Sequence, residues 1–233
     1  MMKRVDRLWT AHPFYGSRRI AVVLSTDEKD PVQINRKHVQ RLMREMGLEA
    51  IYPKPRLSQA HPQHRKFPYL LRELVIERPN QVLGTDITYI PLRDGFVFLV
   101  AFLDWFSRYV VAWELSTTLD SDFCLSALGR ALEQAKPEIV NSDQGVQFTS
   151  TAFTQQVLAS GAQMSMDGRG RAFDNIFTER LWRSVKYEEV YLHDYEGVPA
   201  ARQGLADYFE LYNHRRPHQA LGYRTPSSVY RGG

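Results

Sequence analysis

Cysteine is almost missing from this chain of 233 residues: Cys124 stands alone, so no intramolecular disulfide can form and no Cys-rich zinc site can be assembled. No helical segment carries two histidines four residues apart, which also counts against zinc hydrolysis. The basic start Met1-Met2-Lys3-Arg4 is followed by no apolar run of the secretion-signal kind. Long hydrophobic stretches are lacking as well. The longest, Phe96 to Phe106, is interrupted by Asp104 and falls far short of the roughly 20 residues that span a bilayer. These absences exclude a secreted disulfide scaffold and a membrane partner, and point to a cytoplasmic protein.

What is present is unevenly distributed. Apolar residues make up 43% of the chain, enough for one medium domain with a sizeable core plus a smaller one. The net charge of +4 conceals two opposite halves: residues 1–80 carry 16 Lys/Arg against 8 Asp/Glu, and residues 81–233 carry 14 against 18. The first half suits a polyanion, and the second holds the candidate metal ligands.

Within residues 1–50, Val39, Leu42, Met43 and Met46 follow helical spacing, with Asn35 as N-cap and Gly47 as stop. A second helix over Ser17–Ser25 would pack against it, giving a small module of helix-turn-helix size. Its exposed cations Arg36, Lys37, Arg41 and Arg44 are candidate DNA contacts. Residues 51–78 read as a basic linker, with Pro53, Pro55, Pro62 and Pro68 among Lys54, Arg56, Arg65 and Lys66, four further candidate contacts. His61-Pro62-Gln63-His64 lacks further ligands nearby and reads as solvated linker.

From Gln81 the pattern turns to strands. Val82–Leu92, Phe96–Asp104 and Arg108–Leu115 form an antiparallel meander with a turn at Arg93-Asp94-Gly95; a helix follows over about Ser121–Ala135. A short strand, Glu138–Val140, leads to Asn141-Ser142-Asp143. Then come a helix over about Thr151–Ser160, a strand at Gln163–Met166 and a long helix over about Asn175–Val190. Three strands followed by alternating helices and strands describe a mixed α/β sheet with helices on its faces.

Three acids stand out by position. Asp86 lies inside a β-branched strand, Asp143 follows a short apolar strand where open α/β sheets gather ligands, and Glu179 lies on the long helix. Singly, each is most simply a solvated or capping acid. Jointly they suit phosphodiester chemistry, in which two Mg²⁺ ions about 3.5–4 Å apart stabilise both the entering and the leaving oxygen. Carboxylate oxygens are hard ligands of the kind Mg²⁺ takes, and Mn²⁺ should substitute. Asp86 would bridge both ions, Asp143 would hold one and Glu179 the other.

The motifs Thr85-Asp86-Ile87-Thr88-Tyr89-Ile90, Leu103-Asp104-Trp105-Phe106-Ser107-Arg108, Asn141-Ser142-Asp143-Gln144-Gly145, Asp174-Asn175 leading to Glu179, and Tyr212-Asn213-His214-Arg215-Arg216-Pro217-His218 resemble the second-frame (OrfB) transposases of the IS-three type. So does the interval of 35 residues between Asp143 and Glu179. Over residues 12–230 the resemblance implies a ribonuclease-H-like, five-stranded catalytic core like that of retroviral integrases at 79–190, a helical module at 1–50 and a helical extension at 191–233. It implies a DDE transposase performing Mg²⁺-dependent 3′-end cleavage and strand transfer on double-stranded DNA, both insertion-sequence ends and target. It further implies a homo-oligomer in the synaptic complex, association with the bacterial nucleoid, and a first-frame (OrfA) product as a possible partner. In retroviral integrases, cations four and seven positions after the helical Glu contact the viral DNA end. Those positions here are Arg183 and Lys186, and Asn175 lies on the same stripe. A nuclease without strand transfer, or a catalytically degenerate DNA-binding fragment, is the alternative. Three residues depart from the family pattern: Leu83 for Trp, Asn141 for His, and Asp167 for Ser. Asp167 is expected to weaken DNA binding modestly by its charge.

Overall fold

The computed structural model describes residues 1–13, 15–27, 30–50, 67–167 and 175–232. The chain divides into two compact units, Met1–Leu57 and Ser58–Gly233. The cations Lys54, Arg56, Arg65 and Lys66 lie outside the described residues.

Three helices make the first unit: α1 (Met2–Ala11), α2 (Ser17–Ser25) and α3 (Arg36–Glu45). Asn35 caps α3 by accepting the His38 N–H at 2.9 Å. Val5, Ile20, Leu24, Val39, Leu42 and Met43 form the core, which leaves Arg36, Lys37, Arg41 and Arg44 exposed. Helix α1 escaped the sequence reading; Val5, Leu8 and Trp9 are at i, i+3, i+4, but four charges within ten residues mask so short an apolar stripe.

The second unit is a five-stranded sheet of order β3-β2-β1-β4-β5. Strands β1 (Val82–Leu92), β2 (Gly95–Asp104) and β3 (Val110–Ser116) are antiparallel; β4 (Ile139–Ser142) and β5 (Gln163–Met166) join them in parallel. The β1–β2 turn needs only Arg93 and Asp94 because Gly95 adopts φ +102°. Helices α4 (Asp122–Gln134) and α6 (Thr151–Ala159) cover one face with Leu83, Val100 and Phe102; a one-turn helix α5 (Val146–Thr149) precedes α6. Helices α7 (Ile176–Glu188) and α8 (Val198–His214) cover the other with Val82, Ile90, Leu99 and Leu103; a short α9 (Pro226–Tyr230) follows. A sheet buried on both faces explains why β2 reads as a continuous apolar run rather than an alternating one. No helix among the described residues is long and apolar enough to cross a membrane.

Two of the sequence motifs act on α7. In Leu103-Asp104-Trp105-Phe106-Ser107-Arg108, the fully buried Asp104 carboxylate accepts from the backbone N–H of Asn80 (2.7 Å) and Ser107 (2.8 Å) and from the Ser107 hydroxyl (2.5 Å). That knot shapes the turn on which Arg108, at φ +65°, lays its guanidinium 3.5 Å over the Phe177 ring at the start of α7. Trp105 meets the same ring edge-on at 5.3 Å. In Tyr212-Asn213-His214-Arg215-Arg216-Pro217-His218, Asn213 exchanges two hydrogen bonds with Val110 of β3, and Arg216 grips Glu188 at the end of α7 through contacts of 2.7 and 2.5 Å. Tyr208 donates to the same carboxylate at 3.0 Å. Burial, with the neighbouring Arg216, pushes His218 down to about 4 and keeps it neutral.

Gly84 sets how close α7 comes. A Cβ there would lie 2.0 Å from Trp105 Nε1 and 3.0 Å from Thr178 Oγ1. Gly84→Ala should therefore destabilise the fold by about 1–3 kcal/mol through overpacking. An unchanged denaturation midpoint in urea would show that Trp105 has room to yield.

Candidate active site

Strand β4 ends early, and this creates the site. Its ladder with β1 runs Val82↔Ile139, Leu83↔Val140, Gly84↔Asn141 and then stops, while β1 continues to Leu92. Asp86 and Asp143 each lie two residues beyond the last pair. They therefore lie the same number of residues past the ladder's end, Asp86 still on β1 and Asp143 on the connection that follows β4. Side chains alternate along a strand, so Asp86 shares the face of Gly84, the face covered by α7. The Trp182 indole N–H of α7 donates to Asp86 Oδ2 at 2.9 Å. Thr178, Leu181, Trp182 and Val185 turn inward, which leaves Glu179, in the first turn of α7, exposed. Its carboxylate takes no hydrogen bond or ion pair among the described residues.

The electrostatics tie the three acids together. Burial pushes the Asp86 carboxyl up to about 6; Trp182 and the Ile87 N–H oppose the rise, while Asp143 and Glu179 add to it by like-charge repulsion. Asp143 is raised too, by the protein mass around it, against the pull of the Gly145 N–H at 2.9 Å. Among the described residues no three Asp, Glu, His or Cys side chains are drawn close enough to hold a metal ion as they stand. The donor set nevertheless fits a hard divalent cation: it is all carboxylate oxygen, and the missing element is positive charge beside Asp86.

The other expected site residues are dispersed. Arg36, Lys37, Arg41 and Arg44 are exposed on α3 in the first unit, with Arg41 3.6 Å from Glu45. On α7, Arg183 is exposed with its guanidinium 5.9 Å from the Tyr187 ring centre, and Lys186 is half-buried. Asn175 is placed differently from the expectation of a DNA contact. It is buried, its amide donates to the Thr85 carbonyl at 3.2 Å, and its Oδ1 accepts the Thr178 hydroxyl at 2.5 Å. Its side chain makes no backbone cap on α7 but ties the Thr178 side chain to the β1 backbone. Leu83 fills the core on the α4 face. Asp167, expected as an exposed negative charge, is 8% exposed and accepts the Asn141 amide at 2.8 Å. Trp182 was missed, although its position three residues after Glu179 places it within reach of whatever that turn faces.

Comparison with known proteins bears on the family and the fold. The Integrase core domain family matches residues 76–172, a second family of the same description matches 160–226, and an HTH-like domain matches 1–56. The transposase for insertion sequence element IS904 of Lactococcus lactis is 32% identical over 222 residues, 91% of this chain and 85% of that protein. The transposase for IS629 of Shigella sonnei is 28% identical over 234 residues, 98% of this chain and 78% of that one. Among solved structures, the HTLV-2 integrase catalytic core domain in complex with magnesium superposes with TM-score 0.54 at 21% identity, covering 66% of this chain and 97% of its own. The simian T-cell lymphotropic virus intasome chain covers 97% of this chain and 74% of its own, with TM-score 0.58 at 16% identity. These two likenesses establish the fold.

Without metal, the Asp86 pKa of about 6 makes a stability statement. A folded-state value above the unfolded 3.8 means that the folded protein binds the extra proton between those pH values, so stability falls as pH rises through that window. Asp86→Asn keeps an acceptor for Trp182 and removes the desolvated charge. It should stabilise the metal-free protein at pH 7.5 by up to roughly 3 kcal/mol, and change little at pH 4. Equal melting temperatures at pH 7.5 would overturn this.

Proposed function

Because this chain belongs to the IS3-family insertion-sequence transposases, with an integrase core and an HTH-like N-terminal domain, we propose that it is a DDE polynucleotidyl transferase acting through Asp86, Asp143 and Glu179. The supporting observation is that Asp86 and Asp143 lie the same number of residues past the end of the β1–β4 ladder, with Glu179 close enough to raise Asp86. In this reading the carboxylates of Asp86, Asp143 and Glu179 would together hold two Mg²⁺ ions. When bound, the ions would supply Lewis acidity to the entering and leaving oxygens.

The residues of the chain have distinct tasks. Three acceptor-only carboxylates gather positive charge where the phosphodiester must lie, and Trp182 keeps Asp86 turned toward α7. In strand transfer the 3′-hydroxyl oxygen of the element's end attacks a target phosphorus and gives up its proton to water, the bond to the target's 3′-oxygen breaks, and that oxygen takes up a proton from water. Cleavage follows the same course with water as nucleophile. Arg183 and Lys186, on the flank of α7 that bears Glu179, are suited to hold the DNA end. The exposed cations of α3 would bind backbone phosphate, and the working form would be an oligomer on DNA, as the intasome neighbour is named for. A first-frame product is a further candidate partner.

A labelled insertion-sequence end incubated with the protein and Mg²⁺ should give joined strands. Cut strands alone would identify a nuclease, and a mobility shift without chemistry a degenerate binding protein. Asp86→Asn and Asp143→Asn should each abolish both products and leave DNA binding nearly intact; metal-dependent turnover close to wild type in either would end the assignment. Replacing Arg36, Lys37, Arg41 and Arg44 together by Ala should flatten the slope of log K against log salt by about 2–4, since each phosphate contact contributes about 0.9. An unchanged slope would move the DNA path away from α3.

A further inference from the structure

We propose that Asp167 is the positioning residue of Asp143, acting with Asn141 as one hydrogen-bonded couple; the proposal rests on the reading of Asp143 as a metal ligand. Asp143 lies on neither a strand nor a helix. It follows β4 directly and precedes α5. A ligand on a connection needs outside support, because productive geometry tolerates errors of only about 0.5 Å.

Asp167 provides that support from the next strand. It follows β5, and each of its polar contacts described here meets a residue beside Asp143. Its Oδ1 accepts the Asn141 amide at 2.8 Å, its N–H donates to the Ser142 carbonyl at 2.9 Å, and its carbonyl accepts the Gln144 side-chain amide at 2.8 Å. Residues 141, 142 and 144 bracket Asp143 on both sides. The Asp143 carboxylate is then oriented locally by the Gly145 N–H. Two of these contacts use the backbone of residue 167 and survive replacement of its side chain by that of Ala or Asn; what the Asp167 side chain adds is the bond to Asn141, while the Gly145 N–H sets the direction of the Asp143 side chain.

The chemistry of the couple is specific. Asn141 is fully buried, and its Oδ1 finds no partner among the described residues. The bond to Asp167 is therefore what fixes the Asn141 amide among the described residues.

The full-length chain tests this by Mn²⁺ titration without DNA, alongside the Mg²⁺ dependence of end cleavage and the melting temperature. Asp167→Ala should raise the metal half-saturation about 10-fold or more, the range seen when an outer partner of a ligand is lost. Asp167→Asn keeps the accepting Oδ1 and should stay within about 3-fold. Asn141→Ala should reproduce the Asp167→Ala defect, and the double Ala variant should be no worse than either single one. Wild-type metal affinity in Asp167→Ala would overturn the proposal, as would Asp167→Asn failing as badly as Asp167→Ala. If Asp167→Ala does not fold, Asn141→Ala and Asp167→Asn decide by the same criteria. If Asp143→Asn itself leaves metal binding unchanged, the ligand assignment falls instead, which separates the two failures.

Discussion

Helix α7 lies against β1 so closely that position 84 has no room for a methyl group, and the site depends on that approach. The packing of Thr178 and Trp105 at Gly84 sets the depth of the helix. Depth in turn decides whether the Trp182 indole reaches Asp86. A side chain's length of extra separation would leave Asp86 buried without its donor, a state more costly than either exposure or pairing. The aromatic and cationic grip of Arg108 and Trp105 on Phe177 at one end of α7, and of Arg216 on Glu188 at the other, reads as reinforcement of this one contact.

The site works against the fold that carries it. Asp86 and Asp143 are both held above their ordinary pKa, and the former feels two further acids. Such crowding lowers stability at neutral pH and is tolerable only because both sheet faces are packed with apolar side chains.

How much of this could be read from residues alone varies by element. The β1–β2 hairpin was legible to within a residue, because Gly95 and the alternation around Asp86 are strong local signals. Helix α3 was legible through its cap and apolar stripe. Asp86, Asp143 and Glu179 stood out by residue type and spacing, but that Asp86 and Asp143 both lie just past the end of the ladder at Gly84↔Asn141 is a non-local fact about where β4 ends. The bonds of Asn175 to Thr85 and Thr178 depend on β1 lying beside α7, which helical spacing alone does not show. Likewise, Asn141 and Asp167 stand 26 residues apart, and only the pairing of β4 with β5 shows them to be partners.

The braces of α7 come late in the chain. Glu188 waits for Tyr208 and Arg216, β3 waits for Asn213, and the Asn80 side chain, at the threshold of β1, accepts a hydrogen bond from Tyr230 at 2.7 Å. During synthesis Asp86, Asp143 and Glu179 emerge from the ribosome before the residues that hold α7 in place. A nascent polypeptide therefore carries all three acids before the scaffold that braces α7 is complete, so the order of assembly along the chain runs from acids to braces.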